Sequence, residues 1–253
     1  MPLLELIGRF IVKWFTNIGE VMLLLWQTIR QFKNLVPSLM VGQMAHLGVD
    51  SLPIVSLTLG FAGAVMTLQI ADVLTTYGAQ STVGGIIAIA MGRELGPVLV
   101  GVVLAGRVGA AITAELGAMK VTEQIDALRV MAVNPIGYLV VPRLLSCMAM
   151  VPLLAFYGIL IGVLGGYFVA TCVSGLPGST YINSIEIMVV KTDLVYGLIK
   201  ATVFGAVIAL VGCYKGMHTK MGAEGVGKAT TSSVVTSIII IFVLNYFLSA
   251  MLF

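Results

Sequence analysis

Residues 92–117 read GRELGPVLVGVVLAGRVGAAITAELG, a largely apolar run interrupted early by Arg93, Glu94 and Pro97. A charge near the centre of a membrane helix costs about 2.5–3.5 kcal/mol on insertion scales, so both charges need partners. Adjacent positions of a helix point about 100° apart, and the two therefore cannot easily neutralise each other. Pro97 has no N–H, which leaves the carbonyl of Arg93 without its helical donor. The stretch predicts a membrane helix whose polar groups face another helix, a second subunit or a polar cavity. A purely structural ion pair between helices is the alternative.

Small residues recur along the same stretch, and small residues let membrane helices approach closely. This pattern is compatible with a homodimer. We assign packing or structural roles to Gly92, Gly96, Gly101, Gly106, Arg107, Gly109 and Glu115.

The composition of the whole chain is that of a membrane protein. Of 253 residues, 59% are apolar and only 10% charged, with a mean hydropathy of +1.07. Soluble domains carry about a quarter charged residues, and a disordered chain is far less apolar. The net charge of +3 is too small to indicate nucleic-acid binding. Three scattered cysteines and two histidines support neither disulfides nor a metal site.

The fold class is therefore predicted as an all-α polytopic membrane protein with five spans. A span needs about 20 mostly apolar residues, and the runs that qualify are Ser51–Ala71, 85–106, 144–173, Leu194–Tyr214 and 229–253. Eleven lysines and arginines fall on one side of these spans and only Lys191 on the other. Because positive charge favours the cytoplasm, the amino terminus is predicted inside and the carboxyl terminus outside.

The first 45 residues differ from the rest, so the chain is divided into residues 1–45 and a membrane domain of residues 46–253. Apolar residues recur every seven positions, and tryptophans lie beside cations: Leu4, Ile11, Ile18 and Leu25, with Trp14 and Trp26. This pattern favours a helix lying in the membrane surface. A sixth span is the alternative, but the uncharged run at residues 21–29 is short for one. The gap before Ser51 leaves room for a half-inserted segment.

A second amphipathic segment, residues 119–132, falls on the predicted cytoplasmic side. Val121, Ile125 and Leu128 form an apolar stripe that Met131 or Ala132 continues. Asn134-Pro135 ends the helix, because the residue before proline avoids the helical conformation. The segment either lies on the membrane or docks into the groove of a cytoplasmic partner.

No motif in the sequence predicts an enzyme. Residues 222–228, GAEGVGK, resemble a phosphate-binding loop, but Ala229 replaces the hydroxyl residue that would hold magnesium, and no strand precedes them. HExxH and GxSxG are absent. We therefore expect a transport subunit that binds no cofactor itself.

Residues 92–145, GRELGPVLVGVVLAGRVGAAITAELGAMKVTEQIDALRVMAVNPIGYLVVPRLL, closely resemble the signature region of MlaE/YrbE-type permeases. A looser likeness extends from about Ser51 to Phe253. These permeases are membrane subunits of ABC transporters that move phospholipids and other lipids together with MCE-domain proteins.

The resemblance implies an exporter-like ABC permease fold, with an interfacial helix, five membrane helices and a cytoplasmic coupling helix. It implies a homodimer with a lipid cavity that maps onto Arg93, Glu94 and Pro97. The expected ATPase contacts are Glu123, Gln124, Ile125, Asp126, Leu128 and Arg129.

The partners implied by the resemblance are ABC ATPase subunits that carry ATP and Mg²⁺, an MCE-domain protein and, in some relatives, a small STAS-domain protein. The implied location is the bacterial inner membrane, with a plastid inner envelope as the alternative. Two other functions stay open at this stage. One is a secondary transporter or channel using Arg93, Glu94 and Lys200 without ATP. The other is an intramembrane lipid-modifying enzyme.

Overall fold

The computed structural model describes residues 16, 19–31 and 37–253, and most of these residues are helical. Five helices are long and apolar enough to cross a membrane, which confirms the predicted number of spans. In chain order the helices are α1 (Pro37–Val49), α2 (Leu52–Thr76), α3 (Gln80–Val121), α4 (Gln124–Val130), α5 (Ile136–Cys172), α6 (Gly178–Met188), α7 (Lys191–Met217) and α8 (Ala223–Leu252). The candidate spans are α2, α3, α5, α7 and α8.

Most of these helices extend well beyond the predicted spans. With 42 residues, α3 is about 63 Å long, twice the thickness of a bilayer's hydrocarbon core. The predicted span ended at residue 106 because Arg107 and Glu115 follow. In the structure Arg107 donates to the hydroxyl of Ser51, just before α2, and Glu115 pairs with Arg143 of α5. The helix therefore continues past the apolar run that the sequence predicts as the span.

Two π-helical turns interrupt α3, at Met91–Leu95 and Ala105–Gly109. In the first, the Gly96 N–H bonds to the carbonyl of Met91, five residues back. Pro97 follows and has no N–H to give. Two successive carbonyls, those of Gly92 and Arg93, are therefore left without a donor from their own helix. Such turns often mark functional sites, and this one contains both Arg93 and Glu94.

Glycines bring α2 and α5 into direct backbone contact. A methyl group built on Gly63 would lie 1.9 Å from the carbonyl oxygen of Gly162. One built on Gly165 would lie 2.3 Å from the carbonyl oxygen of Gly60. Only a residue without a side chain fits at these two crossings, so α2 and α5 form a tightly fitted pair.

The packing role predicted for the α3 glycines holds for only some of them. A methyl group on Gly96 would meet Ile159 at 2.4 Å, and one on Gly109 would meet Ile208 at 3.3 Å. Beside Gly92 and Gly106 such a group would meet no atom within 4 Å beyond the helix itself. Within one copy of the chain, no other helix approaches the Cα faces of these two glycines, and their packing role stays a prediction.

The heptad prediction for the amino-terminal segment rests mainly on Leu4, Ile11 and Ile18, which lie outside the described residues. Residues 19–30 are helical. Trp26 is exposed, and the Arg30 guanidinium lies 5.1 Å from its ring centroid. The helix α1 has 13 residues, about 20 Å, and is too short to cross a hydrocarbon core of about 30 Å. It packs against α5, where the Ser146 hydroxyl donates to the carbonyl of Met40.

The amphipathic segment 119–132 is not one helix, so the predicted bounds are wrong. α3 continues to Val121, the chain turns at Glu123 with a φ of 60°, and α4 spans only Gln124–Val130. The left-handed residue breaks the helix, which an apolar pattern alone does not reveal. Ile125 is buried, as its position in the stripe predicts, but Met131 is exposed.

Candidate functional site

Arg93 and Glu94 both find partners on α7. Glu94 pairs with Lys200 at 2.7 Å, and Arg93 pairs with Asp193 at 2.9 Å. The acceptor Asp193 and the donor Lys200 lie about two turns apart on α7, so Arg93 and Glu94 contact that helix at two different levels. Arg93 and Glu94 therefore do not pair with each other. Each pairs with a residue of a second helix in the same chain.

Lys200 is completely buried, yet its ammonium group is fully satisfied. Its Nζ donates to the carbonyl oxygen of Arg93 at 3.0 Å, to Glu94 Oε1 at 2.7 Å and to Ser249 Oγ at 2.7 Å. An ammonium has three donors, so none remains unused. The carbonyl that Pro97 frees is one of the three acceptors, and the proline thereby contributes to holding a buried cation.

The last helix completes the site from a third side. Asn245 donates to Glu94 Oε2 at 2.9 Å, and Ser249 donates to Glu94 Oε1 at 2.8 Å. Phe253 lies one turn further on, and its ring centroid is 4.7 Å from the Arg93 guanidinium and 4.9 Å from Lys200 Nζ. These three residues recur every four positions and so present one face of α8 to the charges.

Asp193 anchors the other half of the site. Its side chain is buried, and it also accepts the Val190 N–H at 3.3 Å where α7 begins. One turn further along α7, Gly197 faces the free carbonyl of Gly92, where a methyl group would lie 2.1 Å from the oxygen. The π-helical turn of α3 thus contacts α7 in two ways: Arg93 pairs with Asp193, and one turn further along α7 the backbone of Gly92 lies against Gly197.

We call Arg93, Glu94, Asp193, Lys200, Asn245, Ser249 and Phe253 the charged cluster. The structure brings together the sequence-predicted residues Arg93, Glu94 and Pro97. Sequence reasoning missed Asp193, Asn245, Ser249 and Phe253 as members of the cluster and left Lys200 outside the predicted site. An isolated lysine within a span and an Asn–Ser pair four residues apart in the last span are the signals that point to them.

The predicted partner-binding residues lie at the opposite end of α3. Glu123, Gln124 and Arg129 are exposed, Ile125 is buried and Leu128 is partly buried. Asp126 accepts hydrogen bonds from Lys120 at 2.8 Å and from Arg129 at 2.9 Å. The hydrogen bond from Lys120, with the positive charges nearby, holds the pKa of Asp126 below its ordinary value.

Exposed apolar side chains extend this end of the molecule. Val130 and Met131, at the end of α4, are 88% and 63% exposed. Ile125 and the partly buried Leu128 anchor the short helix to the core, whereas Val130 and Met131 point outward. This arrangement provides a compact surface of apolar and charged groups suited to a partner's groove.

The glycine-rich residues 222–228 form the start of α8. Gly222 has a φ of 92°, and the helix begins at Ala223. Lys228 pairs with Glu224 at 2.6 Å one turn earlier, and both side chains are exposed. Among the described residues, no three His, Cys, Asp or Glu side chains cluster closely enough to hold a metal ion.

Five long apolar helices, a partly exposed charge network between three of them and an exposed amphipathic helix at one end are the features of a helical, multi-pass membrane protein. The family model "Permease MlaE" matches residues 40–251. The chain therefore belongs to the MlaE permease family.

Curated relatives agree over most of the chain. A probable ABC transporter permease protein of Rickettsia typhi is 39% identical over 251 residues, covering 98% of this chain and 97% of the relative. One from Synechocystis is 43% identical over 211 residues, covering 83% and 80%. The Arabidopsis thaliana chloroplastic protein TRIGALACTOSYLDIACYLGLYCEROL 1 is 39% identical over 212 residues, 83% of this chain and 60% of its own length.

Proposed function

We propose that this chain is the membrane subunit of an ABC transporter that moves phospholipid or a related lipid between the bacterial inner membrane and an MCE-domain partner. A separate ATPase subunit supplies the energy from ATP and Mg²⁺. The chain itself binds no cofactor and catalyses no reaction. A relative named for a galactolipid and the family resemblance both favour a lipid as cargo.

The charged cluster is the observation that carries the proposal. Lys200 is buried, but the side chains of Arg93 and Glu94 are 38% and 40% exposed. A phospholipid headgroup carries a phosphate that suits Arg93, while its acyl chains suit the apolar helices around it. Keeping such charges inside an apolar bundle is costly, and their partial exposure provides a place for a polar headgroup to enter.

We propose that two copies form the working unit. The helix α8 has only 11% of its most apolar stretch buried within one copy. Phe242, Tyr246 and Phe247 are exposed on its outer part, beside the residues that bond to Glu94. A second copy packed along α8 would enclose Arg93, Glu94 and Pro97 in a cavity between the two chains.

The coupling helix α4 and its flanking residues serve as the ATPase contact in this proposal. Glu123, Gln124 and Arg129 supply exposed polar groups, and Val130 and Met131 supply apolar ones. ATPase closure would displace α4, and because residues 122–123 join α4 to the helix that carries Arg93 and Glu94, the displacement could be passed on to the lipid cavity.

The proposed orientation puts α4 in the cytoplasm and the carboxyl terminus in the periplasm. It follows from the excess of lysine and arginine at the α4 end. The MCE-domain protein would then meet the bundle at the outer end, and a small STAS-domain protein, where present, would bind the ATPase.

A gentle detergent pull-down of the tagged chain, followed by mass spectrometry of proteins and lipids, tests this assignment. The expected result is co-purification of an ABC ATPase, an MCE-domain protein and bound phospholipid. A preparation that lacks any ATPase and still moves substrate in liposomes would overturn it in favour of a secondary transporter.

A further inference from the structure

The coupling helix α4 joins the bundle through two short connections. Residues 122–123 link it to α3, and residues 131–135 link it to α5. Each connection contains a non-glycine residue with a left-handed backbone, Glu123 and Ala132, both with a φ of 60°. A force applied to α4 therefore passes through two bent segments before it reaches a long helix.

Two local contacts stiffen these connections. On the α3 side, Lys120 pairs with Asp126 at 2.8 Å, and Ile125 is buried against the bundle. On the α5 side, the Asn134 side chain accepts the Ile136 N–H at 3.0 Å, which caps the start of that helix. Each of these interactions acts within its own connection, and none of them links α3 to α5.

A buried arginine makes that link. The side chain of Arg143 is 5% exposed, and its Nη2 lies 2.8 Å from Glu115 Oε1 on α3. Its Nη1 donates to the carbonyl oxygen of Leu139 at 2.8 Å, in the π-helical first turn of α5. One guanidinium thus joins α3 to the irregular turn that receives the chain from α4.

The Arg143–Glu115 pair closes a frame made of α3, α4 and α5. Arg143 is buried but Glu115 is about half exposed, so the pair adds little stability, while its geometry still fixes how the two helices sit relative to each other at this level. Arg143 Nε is also buried without a hydrogen-bond partner, which lowers any gain in stability further. Further from α4, α3 and α5 pack directly, as where Gly96 faces Ile159. Near α4, this pair adds a polar link that specifies how the two helices are placed.

We propose that Arg143 is a positioning residue that, through Glu115, makes α3 and α5 move together with the coupling helix. Without the pair, a displacement of α4 is absorbed at Glu123 and Ala132. With it, the displacement passes into α3, which carries Arg93 and Glu94. This inference rests on the proposed function, because it assumes that an ATPase moves α4.

The test uses the full complex of chain, ATPase and MCE-domain protein in proteoliposomes, with ATP hydrolysis and phospholipid transfer measured on the same sample. Glu115→Gln keeps an acceptor on the half-exposed partner and weakens the pair. We expect the lipid transferred per ATP to fall at least about threefold while ATPase binding and hydrolysis persist. Glu224→Gln, which removes the same charge from an exposed pair within α8, is the matched control and should leave the ratio unchanged.

A double substitution separates positioning from general damage. If the two residues act as one unit, Glu115→Gln with Arg143→Gln should lower the ratio no further than the more harmful single change. An unchanged ratio in Glu115→Gln, or additive losses in the double variant, would overturn the proposal.

A direct readout of the frame keeps the proposal testable if Arg143→Gln fails to fold. Spin labels on Ala118 of α3 and Tyr138 of α5, with the exposed Cys172 replaced by serine, report the distance between the two helices. Glu115→Gln should broaden the distance distribution, and an unchanged distribution would count against the frame. Absence of ATP-dependent transfer by the unsubstituted complex would instead contradict the proposed function and leave this structural result standing.

Discussion

Lys200 Nζ lies 2.7 Å from Glu94 Oε1, and the two side chains differ sharply in exposure: the lysine is fully buried, whereas the glutamate is 40% exposed. The ammonium group of Lys200 therefore lies between α3, α7 and α8, and the Glu94 carboxylate is the member of the pair that faces outward. A ligand that approaches the cluster meets Glu94 and Arg93 first. Lys200 lies behind them, where it pairs with Glu94 without being exposed itself.

Glu94→Ala tests the functional role of this pair. The substitution leaves a buried ammonium with only a carbonyl and a hydroxyl as acceptors, and it removes the exposed carboxylate. We expect phospholipid transfer to fall at least about tenfold, since a loss of about 1.4 kcal/mol in binding already corresponds to that factor. Transfer of a fluorescent phospholipid between liposomes measures it, with Glu186→Gln on the exposed face of α6 as the control. Normal transfer by a stably assembled Glu94→Ala complex would count against the role.

Asp193→Asn tests the structural half of the charged cluster. Asp193 is buried, bonds to Arg93 and accepts a backbone N–H at the start of α7. Loss of its charge should lower the free energy of unfolding by about 1.5–3 kcal/mol, the range for hydrogen bonds to charged groups. The expected result is a lower Tm in detergent. An unchanged Tm would indicate that the pair contributes nothing to the fold.

Gly63→Ala tests the close contact between α2 and α5. The added methyl group would lie 1.9 Å from a backbone oxygen of Gly162, which cannot move aside cheaply. Overpacking of this kind costs about 1–3 kcal/mol, so Tm should fall. Gly106→Ala makes the same chemical change where no neighbouring atom lies within 4 Å, and it should leave Tm unchanged or raise it slightly. Equal effects of the two changes would contradict the packing described here.

Asp126→Arg tests the ATPase contact. The change replaces the carboxylate that accepts from Lys120 and Arg129 by a cation that repels both. We expect the ATPase to detach or its hydrolysis to lose its link to lipid transfer. A pull-down and an ATP-driven transfer assay measure the two outcomes. An unaffected pull-down together with normal transfer would show that α4 does not bind the ATPase in this way.

The same carboxylate gives a pH prediction. Because the pKa of Asp126 is lowered in the folded chain, the contribution of its ion pairs is present above the ordinary pKa of aspartate. That contribution is lost only as the pH falls through the lowered value. ATPase binding, as far as it depends on this residue, should therefore stay constant between about pH 8 and pH 5. A loss of binding in that window that Asp126→Asn abolishes would contradict the assignment.

The sequence predicts the number of spans and singles out the unusual residues of the stretch 92–117, because both depend on local composition. Arg93, Glu94 and Pro97 are visible as exceptions in an apolar run. Their partners are not, since Lys200 and Ser249 lie more than a hundred residues away in the chain. Pairing between distant helices is a property of packing, and a single sequence carries only weak signals for it.

Helix boundaries were the least predictable feature. The predicted span ends before Arg107 and Glu115, whereas the helix α3 continues past both charges, which bond to Ser51 and to Arg143 of α5. The break at Glu123 depends on one left-handed residue, which an amphipathic pattern of the right period does not indicate. An apolar run predicts where a membrane span can lie, but it does not predict where the helix itself ends.

ATP-dependent phospholipid transfer by the reconstituted complex tests the central claim most directly. Proteoliposomes would contain this chain, its co-purified ATPase and the MCE-domain protein, with labelled phospholipid followed over time. If the chain is the membrane subunit of an ATP-driven phospholipid transporter, transfer should require ATP hydrolysis, stop with an inactive ATPase and be lost with Glu94→Ala. Transfer that proceeds equally without the ATPase, or a fully assembled complex that hydrolyses ATP and moves no lipid, would contradict it.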